Sequence, residues 1–263
     1  MIKEVKDIYK FRHFILNGVK RDFQVRYKRS ILGVLWIFIQ PLAMISIYTL
    51  IFSQLARVKI PNNDSMFGYS MFLCSGLLTW NFLVETITRS QSVYIDNANL
   101  IKKAALPKIC FPVSATLTSL VNLIIVLSLF FLFLIITGNF PIHTFIYFPL
   151  VLLVHVLFSF SVGNILGVLN VFFRDVSQMM TVFIQVWFWG TPIVYMIDSL
   201  PPRLRFFVGL NPATFFAQSY QSIVLDGSIN FQSFGIVTAV SLILCLFSLR
   251  LLRKHGAAMA DEL

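Results

Sequence analysis

Arg26, Lys28 and Arg29 crowd three cations into four residues just before a run with no charge at all, Ser30 to Ala56. Guanidinium and ammonium groups so placed bind phosphate oxygens. At the mouth of an apolar run the three are candidates for a lipid-phosphate entrance, and topogenic anchoring is the plainer reading. A second candidate set is aromatic: Tyr48, and Trp187, Trp189 and Tyr195 around FIQVWFWGTPIVY. Aromatic faces can give sugar rings a path of low specificity along a channel, and Gly190 and Pro192 can distort the helix that carries them. A third set lies in VYIDNANLIKKAALPK, where Asp96 or Asn97 can cap a short helix running to Leu106, with Pro107 as its stop. Asn97, Asn99, Leu100, Lys102 and Lys103 on that helix suit docking to a partner protein; an interfacial helix that touches only lipid is the alternative.

Catalytic chemistry finds no such foothold. The sequence has no G-x-x-x-x-G-K-[ST] phosphate loop, no H-E-x-x-H, no G-x-S-x-G and no D-x-D. No catalytic residue, no metal ligand and no cofactor is therefore assigned to this chain. Cys74, Cys110 and Cys245 form no C-x-x-C pair and read as small packing residues. His155 and Glu85 are the clearest ionisable groups within apolar runs, fewer than a proton- or ion-coupled carrier uses. A lone His155 reads as a hydrogen-bonded packing residue.

The elements that position these residues follow from charge. Of the 263 residues 57% are hydrophobic and 12% charged, against roughly 25% charged in soluble domains. That deficit points to a bilayer. The net charge of +10 does not point to nucleic acid, because the basic residues cluster beside uncharged spans. About 20 helical residues cross the hydrocarbon core, and reading between charges predicts six spans at 31–56, 65–86, 111–136, 145–172, 176–197 and 231–249. The turn chemistry of TGNFP, 137–141, divides the long run between Lys108 and Arg174. The first apolar run starts too late and is too long for a signal peptide, so the N-terminus is expected in the cytoplasm, and six spans bring the C-terminus back to the same side. Only Arg57, Lys59, Arg203 and Arg205 then fall outside, in keeping with the retention of Lys and Arg inside.

Residues 200–226 are uncharged over much of their length, yet Asn211-Pro212 splits them and Gln218, Ser219, Gln221 and Ser222 make them too polar to face lipid. They are expected to form a re-entrant or interfacial helical hairpin on the outer side. Residues 1–29 repeat Ile2, Val5, Ile8, Phe11, Ile15, Val19 and Phe23 at steps of three and four, which predicts an amphipathic helix in the cytoplasmic interface. Pro41 should kink or loosen the first span. Gly163 and Gly167 form a G-x-x-x-G that permits close helix packing without naming the partner helix. No internal repeat relates the two halves, against an inverted-repeat carrier.

The stretches RDFQVRYKRSILGVLWIFIQPL, DNANLIKKAALPKICFP, LGVLNVFFRDV, FWGTPIVY and GLNP together resemble the membrane subunit of ABC-2 type polysaccharide exporters, most closely the permeases that export lipopolysaccharide O antigen. The resemblance implies one ABC-2 type transmembrane domain over 1–263, an all-α polytopic protein with six transmembrane helices in the bacterial inner membrane. It implies a homodimer joined to two separate ATPase subunits, which would carry the ATP and Mg. The 88–108 loop would be the cytoplasmic coupling loop, with Asn97 to Leu106 as the coupling helix. The amphipathic N-terminus would be the interface helix and 200–226 the periplasmic gate hairpin between helices five and six. The substrate would be a polysaccharide on an undecaprenyl-diphosphate lipid. A capsular polysaccharide or teichoic-acid exporter is the alternative within the superfamily; an integral-membrane glycosyltransferase or a gated channel is the alternative from another class. Arg174-Asp175 matches the family pattern without an assigned role.

Overall fold

A computed structural model describes residues 2–28, 32–54, 67–103, 106–225 and 230–263. Arg29, residues 55–66, Ala104 and Ala105 lie outside them, as do the ends of the first predicted span. Among the described residues there are twelve α-helices and no strand. They are α1 (Ile2–Lys10), α2 (Arg12–Tyr27), α3 (Trp36–Gln54), α4 (Gly68–Asp96), α5 (Ala98–Lys103), α6 (Cys110–Ile136), α7 (Phe148–Phe172), α8 (Asp175–Trp189), α9 (Pro202–Gly209), α10 (Pro212–Leu225), α11 (Phe231–His255) and α12 (Ala258–Glu262). Without water to satisfy a peptide group, charge-free runs of this length have no choice but helix.

Among the described residues four helices are long and apolar enough to cross a membrane: α4, α6, α7 with its lead-in from Phe145, and α11. Each exceeds the roughly 20 residues that a hydrocarbon core needs. α3 continues through Pro41 for 19 residues, and its apolar portion is Trp36–Leu50. α8 is shorter, 15 residues, and closes at Gly190. The N-terminal amphipathic repeat forms two helices, because Phe11 leaves helical geometry at φ −99° and ψ 19°.

α4 is the hub. Two-thirds of its apolar window (67%) is buried inside the subunit, against 22% for α11, and it packs on α7, α6, α10, α3 and α8. The tightest seam is with α7. A Cβ added to Gly163 would lie 2.7 Å from the Ser90 Cβ, and one added to Gly167 would lie 2.5 Å from the Ser90 carbonyl oxygen. The small-residue pair thus brings the α4 and α7 backbones together. Polar side chains seal the same seam: Tyr94 donates to Asn164 Oδ1 at 2.7 Å, and Asn170 donates to the Gln91 carbonyl at 2.9 Å.

Two apolar clusters result among the described residues. The larger one joins α4, α6, α7 and α10 around Phe82, Phe130, Phe148, Phe216 and Tyr220. The smaller one gathers Ile15 of α2, Tyr94 of α4, Ile101 of α5, Val168 of α7, Leu252 of α11 and Met259 of α12. An ion pair between Glu4 and Arg253 ties α1 to the end of α11. Both termini and α5 therefore share one end of the bundle.

Candidate functional site

The segment expected to serve as the coupling loop is built as a direct extension of α4. Its helix, α5, starts one residue after α4 ends, and the Asn97 carbonyl accepts from the amides of Leu100 and Ile101 at 3.0 Å. Neither candidate side chain caps it. Asp96 accepts from the Ser92 hydroxyl at 2.7 Å, and Asn97 donates back to the Val93 carbonyl at 2.8 Å while its Oδ1 takes Arg21 at 3.3 Å. The cause is that α4 runs through Asp96 and has Asn97 as its C-cap, so both side chains close α4 instead. Ile101 is buried and Leu100 half-buried against the smaller cluster, while Asn99, Lys102 and Lys103 are exposed. One face of α5 is anchored and the other presents two cations and an amide. Lys108, just beyond, loses some basicity to burial, an effect that nearby Asp261 opposes.

Arg26 is not a free cation. Its guanidinium donates to Glu85 Oε1 at 3.1 Å, and Arg89 donates to the same oxygen at 2.9 Å. Glu85 Oε2 accepts from Asn122 at 2.8 Å. Arg89 also faces Asp22 at 3.8 Å, and Asp22 accepts from the Thr118 hydroxyl at 3.4 Å. Two carboxylates and two guanidinium groups thus pin α2 to α4 and α6 with no net charge. Arg26 keeps 37% of its side chain exposed. Lys28 is exposed at the end of α2, and Arg29 lies outside the described residues. Asp22 directly after Arg21, and Glu85 one helical turn before Arg89, were the signal for this cluster.

Above Glu85 opens a cavity of about 530 Å³ between α2, α3, α4 and α6. Trp36, Gln40 and Tyr48 line it from α3, and Leu78, Asn81 and Glu85 from α4. On the other side of Arg26 a cleft of about 580 Å³ runs between α2 and the last turns of α4, bounded by Arg21, Asp22, Asp96 and Asn97.

The aromatic candidates separate. Trp187 is half-buried, edge-on to Trp80 at 5.6 Å between ring centroids, and its indole N–H donates to Asn211 Oδ1 at 2.8 Å. Trp189 is 67% exposed, and its carbonyl accepts from the Tyr195 hydroxyl at 2.9 Å. Tyr48 is half-buried on α3, on the cavity wall rather than beside the α8 group. Asn211 reads in the sequence only as part of a break, and its bonding role shows in the structure. It donates to the Gly190 carbonyl at 3.1 Å and to Thr191 Oγ1 at 3.0 Å, and it accepts from the Ala213 amide at 3.0 Å. One amide therefore joins the end of α8 to the start of α10, and joins FWGTPIVY to GLNP. His155 sits fully buried against Phe216, with ring centroids 4.3 Å apart, and within 3.5 Å of the Tyr220 hydroxyl. Among the described residues no three His, Cys, Asp or Glu gather as a metal site.

Residues 15–225, which include α3 to α10, match the ABC-2 type transporter family. The chain belongs to that family. It is similar to two O-antigen export system permease proteins RfbA of Klebsiella pneumoniae, at 31% and 30% identity, each over 92% of this chain and 92% of the relative. It is 30% identical to an O-antigen export system permease protein RfbA of Myxococcus xanthus, over 86% of this chain and 85% of that one. This ABC-2 type chain is accordingly a multi-pass membrane protein and a transport subunit. The Glu85 cluster, α5 and the Asn211 junction all fall inside the matched region.

Proposed function

We propose that this chain is the membrane permease subunit of an ATP-driven exporter that moves undecaprenyl-diphosphate-linked O-antigen polysaccharide across the bacterial inner membrane. The observation that carries the reading is the likeness, at 30–31% identity over most of both chains, to three O-antigen export permeases. In this reading two copies of the chain form the pore with six spans each, α3 and α8 supplying the two beyond the four long apolar helices. Both termini face the cytoplasm, and α9 with α10 forms the periplasmic gate. Two separate ATPase subunits supply ATP and Mg, docking on the exposed Asn99, Lys102 and Lys103 of α5. Lys28 and Arg29 guide the lipid phosphates beside Arg26, whose own charge Glu85 takes up, and Tyr48, Trp187, Trp189 and Tyr195 line the path of the sugar chain.

Deleting the gene and following the polymer tests this. Surface polysaccharide is expected to disappear while lipid-linked polymer accumulates inside, and a pull-down of the tagged chain is expected to bring an ATPase with a phosphate loop near one per permease. Unchanged surface polymer with nothing accumulated would refute the reading. Accumulated polymer with the composition of a capsule or a teichoic acid would transfer it to those exporters.

A further inference from the structure

The cavity between α2, α3, α4 and α6 carries polar groups that the packing of the subunit leaves unused. Gln40 on α3 and Asn81 on α4 both line it, both are exposed, and neither hydrogen-bonds any described residue. Side-chain amides on membrane helices without a partner are unfavourable against hydrocarbon, and such residues mark a pathway or a binding site. Below them Glu85 and Asn122 form a polar floor, and Trp36, 43% exposed, lies on the α3 wall. Tyr48 stands on the same wall twelve residues on, about 18 Å away along a helix. The volume of about 530 Å³ falls within the roughly 300–1,000 Å³ of sites that enclose a small organic ligand.

The chemistry of this lining selects among occupants. A fatty chain has no use for two amides and a carboxylate. An anion finds no net positive charge, since Arg26 and Arg89 are both engaged by Glu85, and Arg89 also faces Asp22. A sugar ring matches all of it: its hydroxyls both give and take hydrogen bonds, as amides do, and its C–H face lies flat on an aromatic ring. We propose that this cavity is a glycan subsite within the subunit, in which Gln40 and Asn81 hydrogen-bond sugar hydroxyls and Trp36 or Tyr48 carries the ring. The assignment rests on the polysaccharide reading above and deepens it by placing sugar recognition between α3 and α4, apart from the α8 aromatics.

The test uses the complete exporter in cells. Asn81→Cys is probed with a charged, water-soluble methanethiosulfonate, and labelling at residue 81 is read by mass spectrometry so that the native cysteines do not interfere. Gln40→Cys serves as the second variant should the first fail to fold. Labelling is expected in cells that make no polymer, and strong protection in cells whose lipid-linked polymer is stalled by a disabled ATPase. Asn81→Leu is expected to lower export per assembled complex about tenfold, the value of one or two hydrogen bonds. No labelling without polymer would mean a lipid-filled cleft and would overturn the proposal; equal labelling with and without polymer would mean a wet cleft that glycan does not enter, and would do the same. Surface polymer in the deletion strain separates the two levels. If deletion abolishes it while residues 40 and 81 stay unprotected, the subsite alone falls. If deletion leaves it intact, the exporter reading falls and takes the subsite with it.

Discussion

A methyl group at Gly167 tests the seam on which α4 and α7 meet. The new Cβ would stand 2.5 Å from the Ser90 carbonyl oxygen and 3.2 and 3.3 Å from two ring carbons of Tyr94. Carbon and oxygen pack no closer than about 3.3 Å, and a carbonyl fixed in a helix cannot swing aside, so the two backbones must part by close to 1 Å. Such overpacking costs about 1–3 kcal/mol. Parting also stretches the hydrogen bonds Tyr94 to Asn164 and Asn170 to Gln91, each contributing about 0.5–1.5 kcal/mol. Alanine recovers about 1 kcal/mol over glycine within a helix, which leaves Gly167→Ala destabilised by about 1–3 kcal/mol net. At roughly 2–4 °C per kcal/mol, the melting midpoint of the detergent-purified protein should fall by several degrees in a size-exclusion thermostability assay.

Ser90→Gly makes the test sharper. At Gly163 the added methyl meets the Ser90 side chain, at 2.7 Å from its Cβ, whereas at Gly167 it meets the Ser90 backbone. Removing that side chain should relieve Gly163→Ala and leave Gly167→Ala as damaging as before, a coupling that a double-mutant cycle reads directly. A Gly167→Ala protein that melts at or above the parent, or equal relief of both substitutions by Ser90→Gly, would refute the close approach of these backbones.

Asn211→Ala removes both donors and the acceptor that join α8 to α10; leaving buried partners unpaired costs about 1–3 kcal/mol apiece. The melting midpoint should fall and Trp187 emission should shift to the red, with Asn211→Asp, which keeps the acceptor, in between; unchanged emission in the alanine variant would count against the junction. Replacing Lys102 and Lys103 together by Glu should lower recovery of the ATPase with the tagged chain while its elution volume stays the same, and undiminished recovery would argue against docking on α5. Glu4 is held down to about 2 by its hydrogen bonds with Arg253. A depressed carboxylate contributes fully above its ordinary value of 4.5 and loses that contribution as pH falls from there toward 2. The protection factor of the amides of residues 2–10 should therefore be constant from pH 5 upward and fall below 4.5, and Glu4→Gln should abolish that fall.

The helical class and the long apolar elements were legible in the sequence because a bilayer leaves the backbone so few options. What was not legible depends on contacts distant along the chain. G-x-x-x-G announced a close approach but not its partner, since Ser90 lies on another helix and carries no mark of its own. The basic cluster of residues 26–29 reads as uniform charge, yet Arg26 meets Glu85, 59 positions on. The amphipathic repeat of residues 2–23 is continuous in pattern, and nothing in it foretells the break at Phe11, where neither glycine nor proline is present. Gly190 and Pro192 foretold a disturbed helix end; the amide that catches it, Asn211, follows two dozen residues after Trp187. Asn-Pro reads as a turn and says nothing of what that turn holds.

The way α5 is mounted bears on how docking there would act. A coupling element on a slack loop would absorb a push from a partner. Here α5 is separated from α4 by Asn97 alone, and that residue is fastened to Val93 behind it and to Arg21 on α2. Ile101 is sunk into the same apolar cluster as Tyr94, Leu252 and Met259, and α12 packs on α5 directly. A force on Lys102 or Lys103 therefore passes into α4 and not into bending of the loop. α4 in turn carries Glu85 and Asn81 on the wall of the cavity, and Trp80 against Trp187 of α8. Packed interiors respond to such a force by switching between discrete arrangements, not by yielding gradually. On the docking proposed for α5, the two helices positioned to change places with respect to α4 are α3 and α8, because α6, α7 and α10 hold it by far broader contacts. The cavity lies against one of these helices and the Asn211 junction against the other.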